Sequence, residues 1–573
     1  MRGHRQGVAP QSAPVPRARP RWPEVSRDQS KKCRQPGCCP GDPVISTPTY
    51  RRLLDGHGWD IPARLNMAEE VCDRWAAAEP ERVALIEVAG EGLRQTTYAQ
   101  LREMADGLAH RLVAQGVGPG DRVAVFRSQS PWTAAAHIAI WKIGAISIPL
   151  FTLFGPEALA VRLADSGAEV VVTDPAGVAR LQACTSSDAV RSVEGLQKPP
   201  RIVIAEDTEP GPAFETRRTG PEDPAVLIYT SGTTGNPKGA LHAHRVLRGH
   251  LPGVEISHDL MPLEGDVLWT PADWAWIGGL FDVLMPGLWH GVPVVAARMA
   301  KFTPEECVRI VTQASVRNVF FPPTALRALK AADVRLTGLR SVASGGEPLG
   351  AEMLDWGRRA FGLTINEFYG QTECNMIVSA CGAMFDPVPG AMGRPVPGHE
   401  VEVIDHDGRP TLQEGDIAVR RGSASMMLEY WNNPEATAAK YRGDWMLTGD
   451  RGQRDGAVLR FKGRDDDVIT SSGYRIGPGE VEDCLLTHPA VASVGVVGTP
   501  DAARTELVTA FVVLKPGEDG SDATRKALQD HVKTRLAAHE YPRRVHFVES
   551  LPMTISGKII RRELRRWATE GMT

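Results

Sequence analysis

"AVLIYTSGTTGNPKG", Ala225 to Gly239, couples a short apolar run to a loop of glycines, hydroxyls and one lysine. Ala225 to Tyr229 reads as a buried strand, because a continuous β-prone run bounded by turn residues suits the middle of a sheet. In Thr230, Ser231, Gly232, Thr233, Thr234 and Gly235, the glycines let successive backbone N–H groups converge on an anion. Four hydroxyls add donors, and Lys238 adds a point charge. Such a loop suits a mobile polyphosphate; a Ser/Thr/Gly-rich surface turn is the competing reading. It is not the familiar nucleotide loop, which ends in Gly-Lys-Ser/Thr, since Lys238 follows Pro237. Nor does "GEG" at Gly90 to Gly92 complete a dinucleotide motif, because the third glycine is missing.

Outward from this loop, helix and strand alternate. Thr97 is placed to cap a helix carrying Leu101, Met104, Ala105, Leu108 and Leu112 at helical spacing, ending at Gly116. "RVAVF" (Arg122 to Phe126), "AISIPL", "EVVVT", "VPVVAA", "VRNVFFPP" and "LRSVASGG" read as strands, with helices through Trp132 to Lys142 and Leu159 to Ser166 between the first of them. That order implies parallel βαβ units with helices on both faces. After Gly390 the segments shorten into a β-subdomain reaching about Lys462. From Asp467 a separate α+β block carries "SVGVVG", "TAFVVL", "RVHFVE" and a helix over Asp522 to Ala538. The expected class is therefore α/β. Residues 46–465 form a large N-terminal domain of several subdomains, and residues 466–573 a small mobile one.

At 573 residues the chain exceeds what one hydrophobic core sustains. Lys+Arg of 65 against Asp+Glu of 69, net −4, gives no global electrostatic case for nucleic acid. The most apolar long window, Trp276 to Ala297, contains Asp282, Pro286, His290 and Pro293, so it reads as a buried segment and not a membrane span. Cys72, Cys184, Cys307, Cys374, Cys381 and Cys484 are scattered, as expected of reduced thiols in a cytoplasmic protein. Cys33, Cys38 and Cys39 cluster but lack a second ligand pair for zinc. The first ~45 residues are rich in Arg and Pro and have no apolar run, so a disordered extension is expected in place of a signal or transit peptide.

Six segments now fall in order: "YTSGTTGNPKG", "SGGEPL" (Ser344 to Leu349), "FYGQTE" (Phe368 to Glu373), "LTGD" (Leu447 to Asp450), "GRDDDVITSSGYRIGPGEVED" (Gly463 to Asp483) and "PMTISGKIIRREL" (Pro552 to Leu564). Together they resemble the signature motifs of the adenylate-forming superfamily, most similar to its short- and medium-chain acyl-CoA synthetases. The resemblance spans about Thr49 to Trp567. It implies activation of a carboxylic acid by ATP as an acyl adenylate, then acyl transfer to coenzyme A, with Mg²⁺ as cofactor. Thr230 to Lys238 would hold the departing pyrophosphate end, and Gly346, Glu347 and Pro348 would border adenine. Glu367, Phe368, Tyr369, Gly370 and Gln371 would continue the nucleotide site, with Tyr369 against the base. Thr372 would touch the α-phosphate and Glu373 would help hold Mg²⁺. Asp450 would accept from the ribose hydroxyls, and Arg464 would reach ribose or phosphate.

The same resemblance gives Lys558 the task of neutralising charge during adenylation. Acetylation of Lys558 by a protein lysine acetyltransferase, reversed by a deacetylase, would remove that charge. Asp466 would be the hinge, Arg475 would switch contacts between states, and Ser472, Gly473 and Tyr474 would line the path of the pantetheine arm. Arg504, Tyr541, Pro542 and Arg543 would meet CoA. Acetate-specific relatives carry tryptophan where this chain has Gly370, which implies a larger acyl pocket lined by Trp274, with Trp276 in the core. "PLFTLF" (Pro149 to Phe154) departs from the animal medium-chain pattern at one CoA contact. Two other readings are an enzyme that loads a carrier protein and a non-catalytic adenylate-binding regulator. Pyrophosphate release separates the regulator from both enzymes, and CoA consumption separates the enzymes.

Overall fold

A computed structural model describes residues 50, 54, 57–90, 92–186, 199–230, 237–299, 301–464, 467, 469–471, 474–501, 504–535, 540–554 and 558–571. The N-terminal extension, with Cys33, Cys38 and Cys39, lies outside the described residues, as do Ser231, Gly232, Thr233, Thr234, Gly235, Asp466, Ser472 and Gly473.

The helix expected after Thr97 spans Tyr98–Ala114, and Thr97 and Gln100 bond reciprocally as a capping box. Leu101, Ala105, Leu108 and Leu112 are buried along one face, and Gly116 leaves the helix at φ 84°. Pro131–Ile143 and Pro156–Ser166 follow as helices, each with proline in its first turn and a left-handed glycine after its last, so sequence sets both ends.

Two large sheets result. In the seven-stranded sheet the order is Glu429–Tyr430, Lys238–Ala243, Pro224–Thr230, Ile146–Pro149, Arg122–Phe126, Val170–Thr173 and Arg201–Ile204. Its strands from Pro224–Thr230 to Arg201–Ile204 are parallel, as the βαβ pattern requires. Pro224–Thr230 and Lys238–Ala243 instead pair antiparallel, with Thr230 opposite Lys238. The Gly-rich segment is thus followed by a strand that Lys238 opens, where a helix follows the familiar nucleotide loop. The nine-stranded sheet centres on Leu268–Trp269, Asn318–Phe320, Ser341–Gly345 and Ile365–Tyr369, all parallel.

The β-subdomain is an antiparallel sheet of Val401–Ile404, Gly415–Arg420, Tyr441–Arg442, Trp445–Asp455 and Val458–Arg464. Two short strands within the expected range join other sheets: Arg394–Pro395 the nine-stranded one, and Glu429–Tyr430 the seven-stranded one beside Lys238–Ala243. A fourth sheet contains Ile469–Ser471, Tyr474–Ile476, Val491–Asp501, Thr505–Leu514 and Arg544–Phe547, with helices Pro478–Leu486, Asp522–Arg535 and Arg561–Glu570. It has its own core of Ile469, Val481, Leu485, Val496, Val508, Leu528 and neighbours. That is the α+β block expected from the sequence.

Candidate active site

Residues from three sheets meet here. Ser341–Gly345 ends at Gly346, whose φ of 102° turns the chain where a side chain would be strained. Beyond it Glu347 pairs with Arg327 at 2.7 Å, and Leu349 N–H is directed at the Glu367 carboxylate. Glu367 is buried at the back of Ile365–Tyr369, and that burial pushes its pKa up to about 8.

Tyr369, at the end of its strand, donates from its hydroxyl to Asp450 Oδ2 at 2.5 Å. Burial and the Asp450 charge hold the phenol protonated. Asp450 and Arg464 are direct partners in the hairpin of Trp445–Asp455 with Val458–Arg464, which brings Arg464 Nη1 to 3.4 Å from Asp450 Oδ1. Burial raises the Asp450 pKa, while Arg464, Tyr369, Lys440 and Lys558 pull it back down. Lys558 is exposed. Its main-chain N–H donates to Thr554 Oγ1 at 3.0 Å and its carbonyl accepts from Thr554 N–H at 2.7 Å. The charge of the C-terminal lysine therefore acts on the same carboxylate that Tyr369 and Arg464 hold.

Glu373 is buried, and Tyr430 donates its hydroxyl to Oε1. The Lys238 ammonium lies 5.4 Å from the Tyr430 ring centre, so Tyr430 links the strand that Lys238 opens to the "YGQTE" segment. Thr372 is half-buried, with His242 against its main chain. Burial lowers the His242 pKa to about 3, which keeps the ring neutral. Lys440 is a participant that the sequence reading missed. Its ammonium donates to Gln371 Oε1 at 2.7 Å and Thr448 O at 3.2 Å, and lies 3.9 Å from Glu373 Oε1. Its one visible signal was position, ten residues before Asp450 in a hairpin. Tyr430 was missed too, because nothing in "LEYWNN" marks a carboxylate partner.

Gly370 departs from expectation. A Cβ there would lie 2.2 Å from Met376 N and 2.9 Å from the Asn375 carbonyl carbon. The glycine lets the 375–376 main chain pack against its own strand end, so it opens no volume at the Cα. The two tryptophans also depart from expectation. Trp274 is 1% exposed within the main core, whereas Trp276 is half-buried with its ring 5.5 Å from Phe151. A tight turn sets this: Asp273 accepts from Ala275 N–H through Oδ1 and from Trp276 N–H through its carbonyl.

On the C-terminal domain Tyr541, Pro542 and Arg543 lie together. Arg543 donates to the Tyr541 hydroxyl at 2.7 Å, its guanidinium lies 4.6 Å from that ring, and Pro542 O accepts from Gln529. Arg504 sits at the turn between Val491–Asp501 and Thr505–Leu514, its N–H on Asp501 Oδ1. Tyr474 and Arg475 lie in the strand Tyr474–Ile476, paired with Ile469–Ser471. Glu482 and Arg561 form two 2.6 Å bonds beneath the lysine-bearing segment.

A lysine opening one strand, a buried carboxylate held by Tyr369 and Arg464, and a lysine from the C-terminal segment acting on that carboxylate are the arrangement found here. The profile of the AMP-binding enzyme family matches residues 72–431, and that of the AMP-binding enzyme C-terminal domain matches residues 480–558. The chain belongs to this family. It is 35% identical to the acetyl-coenzyme A synthetase of Bacillus subtilis (strain 168), covering 88% of this chain and 91% of that one. It is 32% identical to the mitochondrial acyl-coenzyme A synthetase ACSM2 of Rattus norvegicus, covering 89% and 93%. The crystal structure of the anthranilate CoA ligase AuaEII in complex with anthranoyl-AMP superposes with a TM-score of 0.79 at 27% identity, covering 89% and 99%. The enzyme is an AMP-forming acyl-CoA synthetase, an acid–thiol ligase using ATP, Mg²⁺ and CoA. No helix among the described residues is long and apolar enough to cross a membrane.

Proposed function

We propose that this ligase activates a short- or medium-chain carboxylic acid and that the residues named above divide the work as follows. The acid is a poor electrophile because it is anionic. Its oxygen attacks the α-phosphorus of ATP, the bond to the β-phosphate oxygen breaks, and pyrophosphate leaves. Thr230, Lys238 and the intervening loop hold the departing end, and Thr372 holds the α-phosphate. Asp450 accepts from the ribose, with Tyr369 and Arg464 fixing its orientation. Gly346, Glu347 and Pro348 border the base beside the 367–371 strand end.

No group of three metal-ligating side chains occurs among the described residues. Mg²⁺ commonly takes one or two carboxylates together with substrate phosphates, so Glu373 fits as its protein ligand. Bound there, the ion neutralises phosphate charge. Lys558 adds the remaining positive charge during adenylation. For the second step the CoA thiolate attacks the acyl carbon and AMP leaves. Asp466 is the hinge, at the boundary between domains 46–465 and 466–573, and Arg475 switches contacts. Ser472, Gly473 and Tyr474 line the thiol path, and Arg504 with Tyr541, Pro542 and Arg543 receives CoA. Modification of Lys558 by an acetyltransferase would switch the first step off. We assign the protein to the cytoplasm, consistent with Cys72, Cys307, Cys374, Cys381 and Cys484, which are buried free thiols.

The observation that carries this reading is the Asp450 carboxylate, held by Tyr369 and Arg464 while feeling the charge of Lys558. Acids from C2 to C12, with benzoate and isobutyrate, supplied with ATP and CoA, test it. Pyrophosphate release coupled to CoA consumption is expected, with a preferred acid longer than acetate. Pyrophosphate release without CoA consumption would favour carrier loading instead.

A further inference from the structure

Lys440 leaves the helix Pro434–Ala439 beside the strand Trp445–Asp455, its carbonyl accepting from Leu447 N–H at 2.7 Å. Its side chain turns inward and is 14% exposed. An ammonium taken out of water must direct its donors at protein acceptors. Lys440 Nζ donates to Gln371 Oε1 at 2.7 Å and to Thr448 O at 3.2 Å. Gln371 Nε2 donates to the same carbonyl at 2.9 Å, which has a lone pair for each. Lysine, amide and carbonyl thus close a ring of three hydrogen bonds.

Both residues that the ring joins lie next to functional groups. Gln371 precedes Thr372, assigned to the α-phosphate. Thr448 is buried, donates its hydroxyl to Ile417 O at 2.8 Å, and accepts the Asp450 N–H on the same oxygen at 3.2 Å. The ribose carboxylate is therefore held by the residue to which Lys440 ties Gln371. Burial raises the Asp450 pKa, and Lys440 is among the charges that oppose the rise. On its remaining side the ammonium lies 3.9 Å from Glu373 Oε1, beyond hydrogen-bond length, while Tyr430 donates to that oxygen. The close contacts are with Gln371 and Thr448, and Glu373 is the more distant neighbour.

We propose that Lys440 is a positioning residue for adenylation, locking Gln371 to the Thr448 carbonyl so that the Thr372 phosphate contact and the Asp450 ribose contact keep one spacing. This rests on the ligase reading above and adds a residue to its machinery. A misplacement of about 1 Å between such contacts costs on the order of a hundredfold in rate. A merely structural lysine would lower the rate with every nucleotide alike. A residue that sets the Asp450 contact changes how much the ribose hydroxyls contribute.

The test compares kcat/KM, by pyrophosphate release, for ATP and 2′,3′-dideoxy-ATP. It uses the full chain with Mg²⁺, CoA and the acid used best in the C2 to C12 series. The wild type is expected to favour ATP by roughly tenfold to a hundredfold, because only ATP offers Asp450 hydroxyls to accept from. Lys440→Met should lower kcat/KM for ATP by about tenfold or more and cut the ratio by about fivefold or more. Gln371→Met breaks the same bond from its other end and should cut the ratio alike. The double variant should lose no more than either single one, because the two residues act as a unit. A ratio unchanged in either folded variant, or a double-variant loss equal to the product of the single losses, would overturn the proposal. A ratio unchanged with a raised Mg²⁺ requirement would do so too, placing the action of Lys440 on Glu373. If Lys440→Met fails to fold, Gln371→Met decides. A wild-type ratio of one would instead overturn the Asp450 assignment, and no pyrophosphate release from ATP with any acid would overturn the ligase reading; either takes this proposal with it.

Discussion

The Tyr369 hydroxyl donates to Oδ2 of Asp450 across 2.5 Å, joining a strand end of the nine-stranded sheet to the antiparallel β-subdomain. The bond spans 81 residues of sequence and connects two motifs that are separately unremarkable. On the other oxygen Arg464 approaches to 3.4 Å, so the carboxylate is oriented from both sides.

Removing that donor has a definite pH signature. Burial raises the Asp450 pKa and the Tyr369 bond opposes the rise, so Tyr369→Phe raises it further. A function needing the carboxylate is lost as pH falls through the folded pKa. The acid limb of kcat/KM for ATP should therefore move to higher pH, and kcat/KM should fall roughly tenfold or more at neutral pH. Folding has the opposite sense: a carboxyl whose pKa is raised in the folded state destabilises it above the unfolded pKa, and acid relieves this. A pH–rate profile of both proteins checks the shift; an unmoved acid limb would remove Tyr369 from the account.

Gly370 should tolerate no side chain, whatever the acid. Gly370→Ala places its Cβ 2.2 Å from Met376 N, and overpacking of that kind costs about 1–3 kcal/mol. Acetate, butyrate and octanoate should lose kcat/KM in similar proportion, with a lower Tm. A selective loss of the longer acids would restore Gly370 as a chain-length gate.

Arg561 and Glu482 support the lysine-bearing segment from below. Arg561→Met leaves the Glu482 carboxylate buried without its two 2.6 Å bonds, a loss of about 3–5 kcal/mol. Urea unfolding followed through the C-terminal domain should show its midpoint fall. An unchanged midpoint would mean that the pair carries no net stability.

Much of this architecture was legible because local rules agreed with one another. Thr97 with Gln100, Pro131 with Gly144, and Pro156 with Gly167 marked helix ends that tertiary packing had no reason to override. The motif residues were legible as types, but their partners were not. Lys440 meets Gln371 and Glu373, and Tyr430 meets Glu373, through pairings between separate strands that no local spacing encodes. Glu429–Tyr430 left the β-subdomain for the same reason: its partner, Lys238–Ala243, is distant in sequence. Gly370 misled because a missing side chain reads as space, and the structure fills that space with the main chain of Asn375 and Met376.

Lys558, arriving from a second domain, is expected to serve adenylation and not thioester formation. Lys558→Ala tests it most directly when the two half-reactions are measured apart. Acyl-AMP formation from ATP should fall by about 10²–10³, the usual loss for one transition-state donor. Conversion of supplied acyl-AMP and CoA to thioester should stay near the wild-type rate. Equal loss in both half-reactions would contradict the division of labour.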